Sequence, residues 1–292
     1  MLKNKIETFW SKNYKILMFI PVILFVISLI FIGAKYAATG DPFNKDVTLK
    51  GGIAATIYTD KQFTEDQIKS FIPVESNIKT LADLTTGKQL GFIIEVSDLT
   101  EQELRSIITD KLNIQITQEN FSIEVTSPKL SEAFYQQLLI ALLLAFVLMG
   151  ITVFITFRTF APSIAVIAAA LMGIITTLGI INLLGLTIST AGIVAFLLII
   201  GYSVDTDILL TNYSLKKKDE KLFDRMFKSM KTGLTMTLCA AVVMLTGLIL
   251  SNSPVIKEMF LIIFIALIVD IFNTYLTNAG ILWIYCKRKN IQ

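Results

Sequence analysis

The chain has 292 residues and a net charge of +3, with 54% hydrophobic and only 17% charged residues, and its mean hydropathy is +0.67. This balance excludes a soluble domain and makes the positive charge a topology signal, so a polytopic membrane protein with no nucleic-acid partner is expected. Histidine is absent, which removes Ser-His and Cys-His nucleophile pairs, the HExxH zinc site and any histidine proton shuttle.

Met1 to Lys15 is short and basic, and residues 16–34 form the first apolar run. Small residues follow at Ala37 and Ala38, as after a signal peptide. The run nevertheless exceeds the roughly 7 to 15 residues of a usual signal core and is read as an uncleaved first span. Residues 35–137 change to the composition of a soluble domain, with ten basic and fifteen acidic residues. Strand-like alternation at Gly52 to Thr59 leads into an amphipathic helix at Thr64 to Phe71. The pattern repeats from Gly91 to Ser97 into Thr100 to Leu112, where Thr100 and Glu103 are spaced as a capping box. With strand-like segments at Ile78 to Leu81 and Phe121 to Val125, the expectation is a β-α-β-β-α-β ferredoxin-like α+β domain. Lys50-Gly51-Gly52 marks a tight backbone passage and not a phosphate loop, because no GxxxxGK[ST] follows.

Five more apolar runs, at 138–157, 163–181, 186–210, 233–250 and 259–285, bring the spans to six and put both ends on one side. The basic residues decide which side. Arg158 follows the second span, seven basic residues lie between Lys216 and Lys231, and Lys287, Arg288 and Lys289 close the chain, whereas 182–185 has none and 251–258 has Lys257 alone. Both termini, the loop at 211–232 and the tail at 286–292 are therefore expected in the cytoplasm, and the domain at 35–137 outside it. Of the two cysteines, Cys239 lies in an apolar run and Cys286 near the tail, which implies no disulfide framework. No metal site or cofactor is expected.

The fourth span carries the chemistry. Ser203, Asp205, Thr206 and Asp207 interrupt it, and at about 100° per residue the two aspartates stand about 160° apart, so they cannot both face one neighbour. A carboxylate at mid-membrane costs roughly 2.5 to 3.5 kcal/mol, which makes a pathway role the working hypothesis and snorkelling at the interface the alternative. Gly201 offers a close approach for another helix. In the sixth span Asp270, Asn273, Thr274, Thr277 and Asn278 follow i, i+3, i+4, i+7, i+8 spacing and share one face. That face either lines the same polar path or glues helices together. Lys228 and Lys231 enter the fifth span at the aspartates' depth, either as ion-pair partners or as positive-inside residues.

The run Ile200-Gly-Tyr-Ser-Val-Asp-Thr-Asp-Ile-Leu-Leu210, the large domain after the first span, the Lys50-Gly-Gly entrance, the Ser127-Pro-Lys-Leu exit and Lys231-Thr-Gly-Leu-Thr-Met-Thr237 resemble the SecF family of protein-export membrane proteins in its archaeal form. A weaker likeness ties the chain to the resistance-nodulation-division superfamily. The resemblance implies a non-enzymatic auxiliary subunit that works with a SecD-like membrane subunit beside the Sec translocon channel, its external domain handling unfolded exported polypeptide. It also implies proton-driven motion through an acid of the fourth span and a base entering the fifth. By position these fall on Thr206, flanked by Asp205 and Asp207, and on Lys228, where lysine replaces the family's arginine. Gly173 stands near the place of a usual third-span aspartate. The alternative is half of a resistance-nodulation-division-type transporter for lipids or small hydrophobic molecules. An intramembrane aspartyl protease would need a Gly-x-Gly-Asp that precedes none of these acids.

Overall fold

The computed structural model describes residues 2–82, 88–215, 220–251 and 253–291, with side chains from Glu7 onward. Its elements run α1 (Leu2–Thr39), β1 (Asn44–Lys45), α2 (Val47–Lys50), β2 (Gly52–Tyr58), α3 (Glu65–Phe71), β3 (Ser76–Ala82), β4 (Gln89–Val96), α4 (Glu101–Asp110) and β5 (Phe121–Thr126). After them come α5 (Pro128–Phe157), α6 (Phe160–Leu183), β6 (Thr187–Ile188), α7 (Thr190–Leu215), α8 (Leu222–Leu250), α9 (Pro254–Phe272), a π-helical turn (Asn273–Asn278) and α10 (Ala279–Arg288). Among the described residues, five helices are long and apolar enough to cross a membrane: α1, α5, α6, α7 and α8.

The helices overrun the apolar runs that announce them. Leu2 to Lys15 and 128–137 are already helical, and α8 starts at Leu222 inside the stretch expected as a loop at 211–232. Of that stretch, 216–219 lies outside the described residues.

The polar region forms one antiparallel sheet in the order β3-β4-β2-β5, with β2–α3–β3 and β4–α4–β5 as its two crossovers. Alternation along β2 sends Ile53, Ala55 and Ile57 into a core with Phe92, Ile94, Leu104 and Ile108. Both helices open on capping boxes, Thr64 with Gln67 and Thr100 with Glu103, which satisfy free N–H groups of their first turns.

Entrance and exit of this domain are fused. Gly51 sits at φ +83°, and a Cβ there would come 2.5 Å from the Cα of Pro128. Pro128 opens α5 behind the Ser127 cap, one residue after β5 ends, so the sheet continues into a membrane helix almost without a linker.

A second joint has no sequence forerunner. β1 pairs in parallel with β6, Asn44 opposite Thr187 and Lys45 opposite Ile188, and the Asp46 N–H donates to Ile188 O at 3.1 Å. The chain entering the polar domain is thereby clipped to the segment that enters α7. In the helical layer α7 is the hub, packed against α5, α6, α8 and α9, while α1 lies along α6 and the π-turn.

Candidate functional site

Helix α7 turns one face inward at its polar insertion: Ser203, Thr206, Asp207 and Thr211 are all buried. Opposite them lie Asp270 at the end of α9 and the π-turn that follows it, where Asn273, Thr274, Thr277 and Asn278 are buried as well. The π-turn corrects the expected α-helical stripe. Its wider turn shifts residues 273–278 around the axis, and such turns leave carbonyls without their usual i+4 donors, a common feature of functional helices.

Two carboxylates anchor the cluster. Asp270 accepts from the Ser203 hydroxyl, from Thr206 Oγ1 at 3.0 Å and from Thr274 Oγ1 at 3.5 Å. The single Thr206 hydroxyl proton is shared between Asp270 and the Ser203 carbonyl, 2.8 Å from Oγ1. Asp207 Oδ1 accepts from Asn278 Nδ2 at 2.7 Å, while its Oδ2 and the Asn278 Oδ1 have no partner among the described residues. Neither acid forms an ion pair among those residues. Two buried carboxylates braced only by neutral donors are costly as a charged pair, since burial penalises ionised groups far more than hydroxyl and amide donors compensate.

Asp207, Asp270, Thr206, Ser203, Thr274 and Asn278 thus come together in one buried cluster of two hydrogen-bonded sets, close enough for the two acids to feel each other's charge. Asn273 is buried at the margin, its Nδ2 lying 3.4 Å from where a Cβ on Gly173 would stand, so the small residue in α6 makes room for it. Thr277 turns away and donates to the Met18 carbonyl of α1 at 3.2 Å.

Asp205 does not join them. It is exposed on the opposite side of α7, in line with Val194, Leu198 and Gly201, which are exposed too. Among the described residues, no other part of the chain reaches within 4 Å of a Cβ built on Gly201, so none of them makes the close approach expected there. The 160° separation required this division: a helix that buries one aspartate must show the other outward.

Lys228 is also placed apart. It is exposed, and its ammonium bonds Glu220. Lys231 is exposed as well. The buried base at the start of α8 is instead Arg225, 1% exposed, whose Nη2 reaches the Ile291 carbonyl at 3.5 Å. The signal was available in the sequence, because Leu222, Arg225, Met226 and Ser229 share the buried stripe of α8.

A second set of polar residues couples this layer to the sheet domain. Glu258, at the start of the second turn of α9, accepts from Ser189 N at 2.7 Å and Ser189 Oγ at 3.0 Å, just before α7. Thr190 N donates to Thr48 Oγ1 at 3.0 Å, and Thr48 Oγ1 donates to Asp46 Oδ1 at 2.6 Å. On the sheet, Glu95 binds Lys79 at 2.7 Å and accepts from Asn77 at 2.8 Å, and Asn77 also reaches Thr187 Oγ1 at 3.4 Å. Burial and the nearby Glu95 raise the Asp46 carboxyl above its ordinary range, against the pull of the Thr48 bonds and Lys79. One ladder of bonds therefore runs from the sheet through the β1–β6 clip to the N-terminal ends of α7 and α9, the two helices that carry the buried acids.

A family model described as protein export membrane protein SecD/SecF, C-terminal, matches residues 107–288. The protein-export membrane protein SecF of Methanocaldococcus jannaschii is 34% identical over 94% of this chain and 96% of its own length. The SecF of Methanothermobacter thermautotrophicus is 34% identical over 94% of each chain. Among solved structures, SecDF from Thermus thermophilus, described as a translocon-associated membrane protein, superposes with a TM-score of 0.75 at 20% identity. The match covers 96% of this chain and 38% of that one, so the chain spans well under half the length of the solved protein.

Proposed function

The chain belongs to the SecD/SecF family of protein-export membrane proteins, and from that premise we propose that it is an auxiliary subunit of the Sec machinery that couples a change in its membrane acids to its external domain. In this reading α9, the π-turn and α10 together make a sixth span, and both termini face the cytoplasm of the cell membrane. The sheet domain at 35–137 is then ferredoxin-like and extracytoplasmic. Its strand order and the basic residues at 216–231 and 287–289 support this arrangement.

The observation that carries the proposal is the buried Asp207–Asp270 network, joined through α7 and α9 to the ladder at the sheet domain. Uptake and release of a proton by the two acids would remove and restore buried charge, and the neutral donors around them would re-pair accordingly. Helices α7 and α9 would shift, and the clip at β1–β6 would carry that shift to the domain that handles emerging polypeptide. Lys228 has no part in this scheme while it pairs with Glu220.

The partner reading rests on Asp205. An exposed carboxylate on a spanning helix, with Gly201 one turn before it, fits a SecD-like subunit whose helix packs on this face and supplies a donor or a cation. Affinity purification from native membranes in mild detergent tests both parts. Recovery of a SecD-like protein, lost in Asp205→Leu, supports the reading together with co-purifying Sec channel. Recovery of another transporter half in their place would favour a resistance-nodulation-division-type exporter.

A further inference from the structure

At the basic end of the bundle a crevice of about 490 Å³ opens between α1, the start of α8 and α10. Its rim carries Lys221 and Lys287, its wall Phe223 and Trp283, and among the described residues that line it Glu7 is the one acid. Glu220, next to Lys221 in the chain, is ion-paired with Lys228. Beyond Phe223 lies an apolar recess lined by Trp10, Met226, Met230 and Tyr275.

One donor in the crevice wall is unsatisfied: Trp283 is only 6% exposed, yet its indole N–H has no partner among the described residues. A buried aromatic donor ordinarily finds an acceptor. Lys287 Nζ lies 4.6 Å from the centre of the Trp283 ring, so charge and indole sit at one level.

Cations at the rim, an orphan indole donor beside them and an apolar recess past Phe223 match the phosphate, glycerol and hydrocarbon parts of a phospholipid. We propose that this crevice binds one acidic phospholipid, its phosphate between Lys221 and Lys287, its glycerol oxygens toward Trp283 and one chain along Phe223 and Met226. A free anion would use the lysines and leave the recess empty. The seated lipid fills the gap between α1 and α8 and holds the first helix to the bundle.

The test is delipidated full-length protein in neutral detergent, titrated with phosphatidylglycerol or phosphatidylcholine and read by native mass spectrometry. One phosphatidylglycerol should be retained per chain, about tenfold more tightly than phosphatidylcholine. Each lysine contributes about fivefold, so K221Q/K287Q should weaken retention by about 25-fold. K287Q alone, which removes a single exposed charge, should weaken it about fivefold. W283F should lower it severalfold, whereas K12Q, on α1 outside the crevice, should not change it. Equal retention of both lipids, an equal loss in K12Q, or the same thermal shift from inorganic phosphate as from phosphatidylglycerol would each overturn the assignment.

Discussion

Asp46 separates charge from hydrogen bonding at the joint between the sheet domain and α7. It is 5% exposed, caps α2 by accepting from Thr48 N at 2.9 Å, and holds the Thr48 hydroxyl that in turn receives Thr190 N. Asp46→Leu removes the cap, worth about 1 kcal/mol, and a bond to a charged acceptor worth about 1.5 to 3 kcal/mol. These overlap, so the expected loss is about 2 to 4 kcal/mol. Asp46→Asn keeps an oxygen at the same place and should cost under about 1 kcal/mol. Hydrogen exchange of the full-length protein, followed in peptides covering residues 43–51 and 186–192, reads the difference directly. Leucine should speed local exchange about thirtyfold or more, and asparagine less than about fivefold.

The pH dependence has a definite sign. The folded carboxyl holds its proton more firmly than the unfolded chain, whose value lies near 3.9. Its stabilising contribution is therefore complete below that value and is lost as pH rises through the raised folded value. Acidification should tighten the joint in the wild type and do so less in Asp46→Asn. An asparagine variant as damaged as the leucine one, or a wild-type joint that loosens on mild acidification, would refute the reasoning.

Three further outcomes follow from the packing. Gly51→Ala places a methyl group against Pro128 at a positive φ and should destabilise the domain junction by about 1 to 3 kcal/mol, seen as a lower thermal midpoint with the membrane helices intact. Phe92→Ala empties a site of zero exposure that faces Phe63 at 5.8 Å between ring centroids. It should cost about 3 to 5 kcal/mol and unfold the sheet domain first, as limited proteolysis would register. Thr206→Val removes the donor to Asp270 Oδ2 while keeping the side-chain shape, and should change the response to a proton gradient without lowering expression, checked in inverted vesicles.

The sequence made some features legible because they are local. Strand alternation, the Thr100–Glu103 cap and the length of the apolar runs each depend on residues within a few positions of one another. The split between Asp205 and Asp207 was equally readable, because helical geometry forces it. The sequence could not reveal which aspartate turns inward, since that depends on where α9 packs. The two-residue strands β1 and β6 pair residues 143 positions apart and carry no periodicity of their own. The π-turn at 273–278 was hidden because an α-helical stripe and a widened turn begin with the same spacing. Lys228 drew attention over Arg225 by its alignment with a family position, although the buried stripe of α8 runs through Arg225.

The central claim is that the Asp207–Asp270 pair drives export through this subunit. The most direct test is gradient-stimulated translocation into inverted vesicles carrying D207N, D270N or the double variant, with complex assembly checked in the same membranes. The account predicts that each variant assembles normally, that stimulation by the proton gradient is abolished, and that the double variant is no worse than either single one. Normal gradient-stimulated export in the assembled double variant would contradict it.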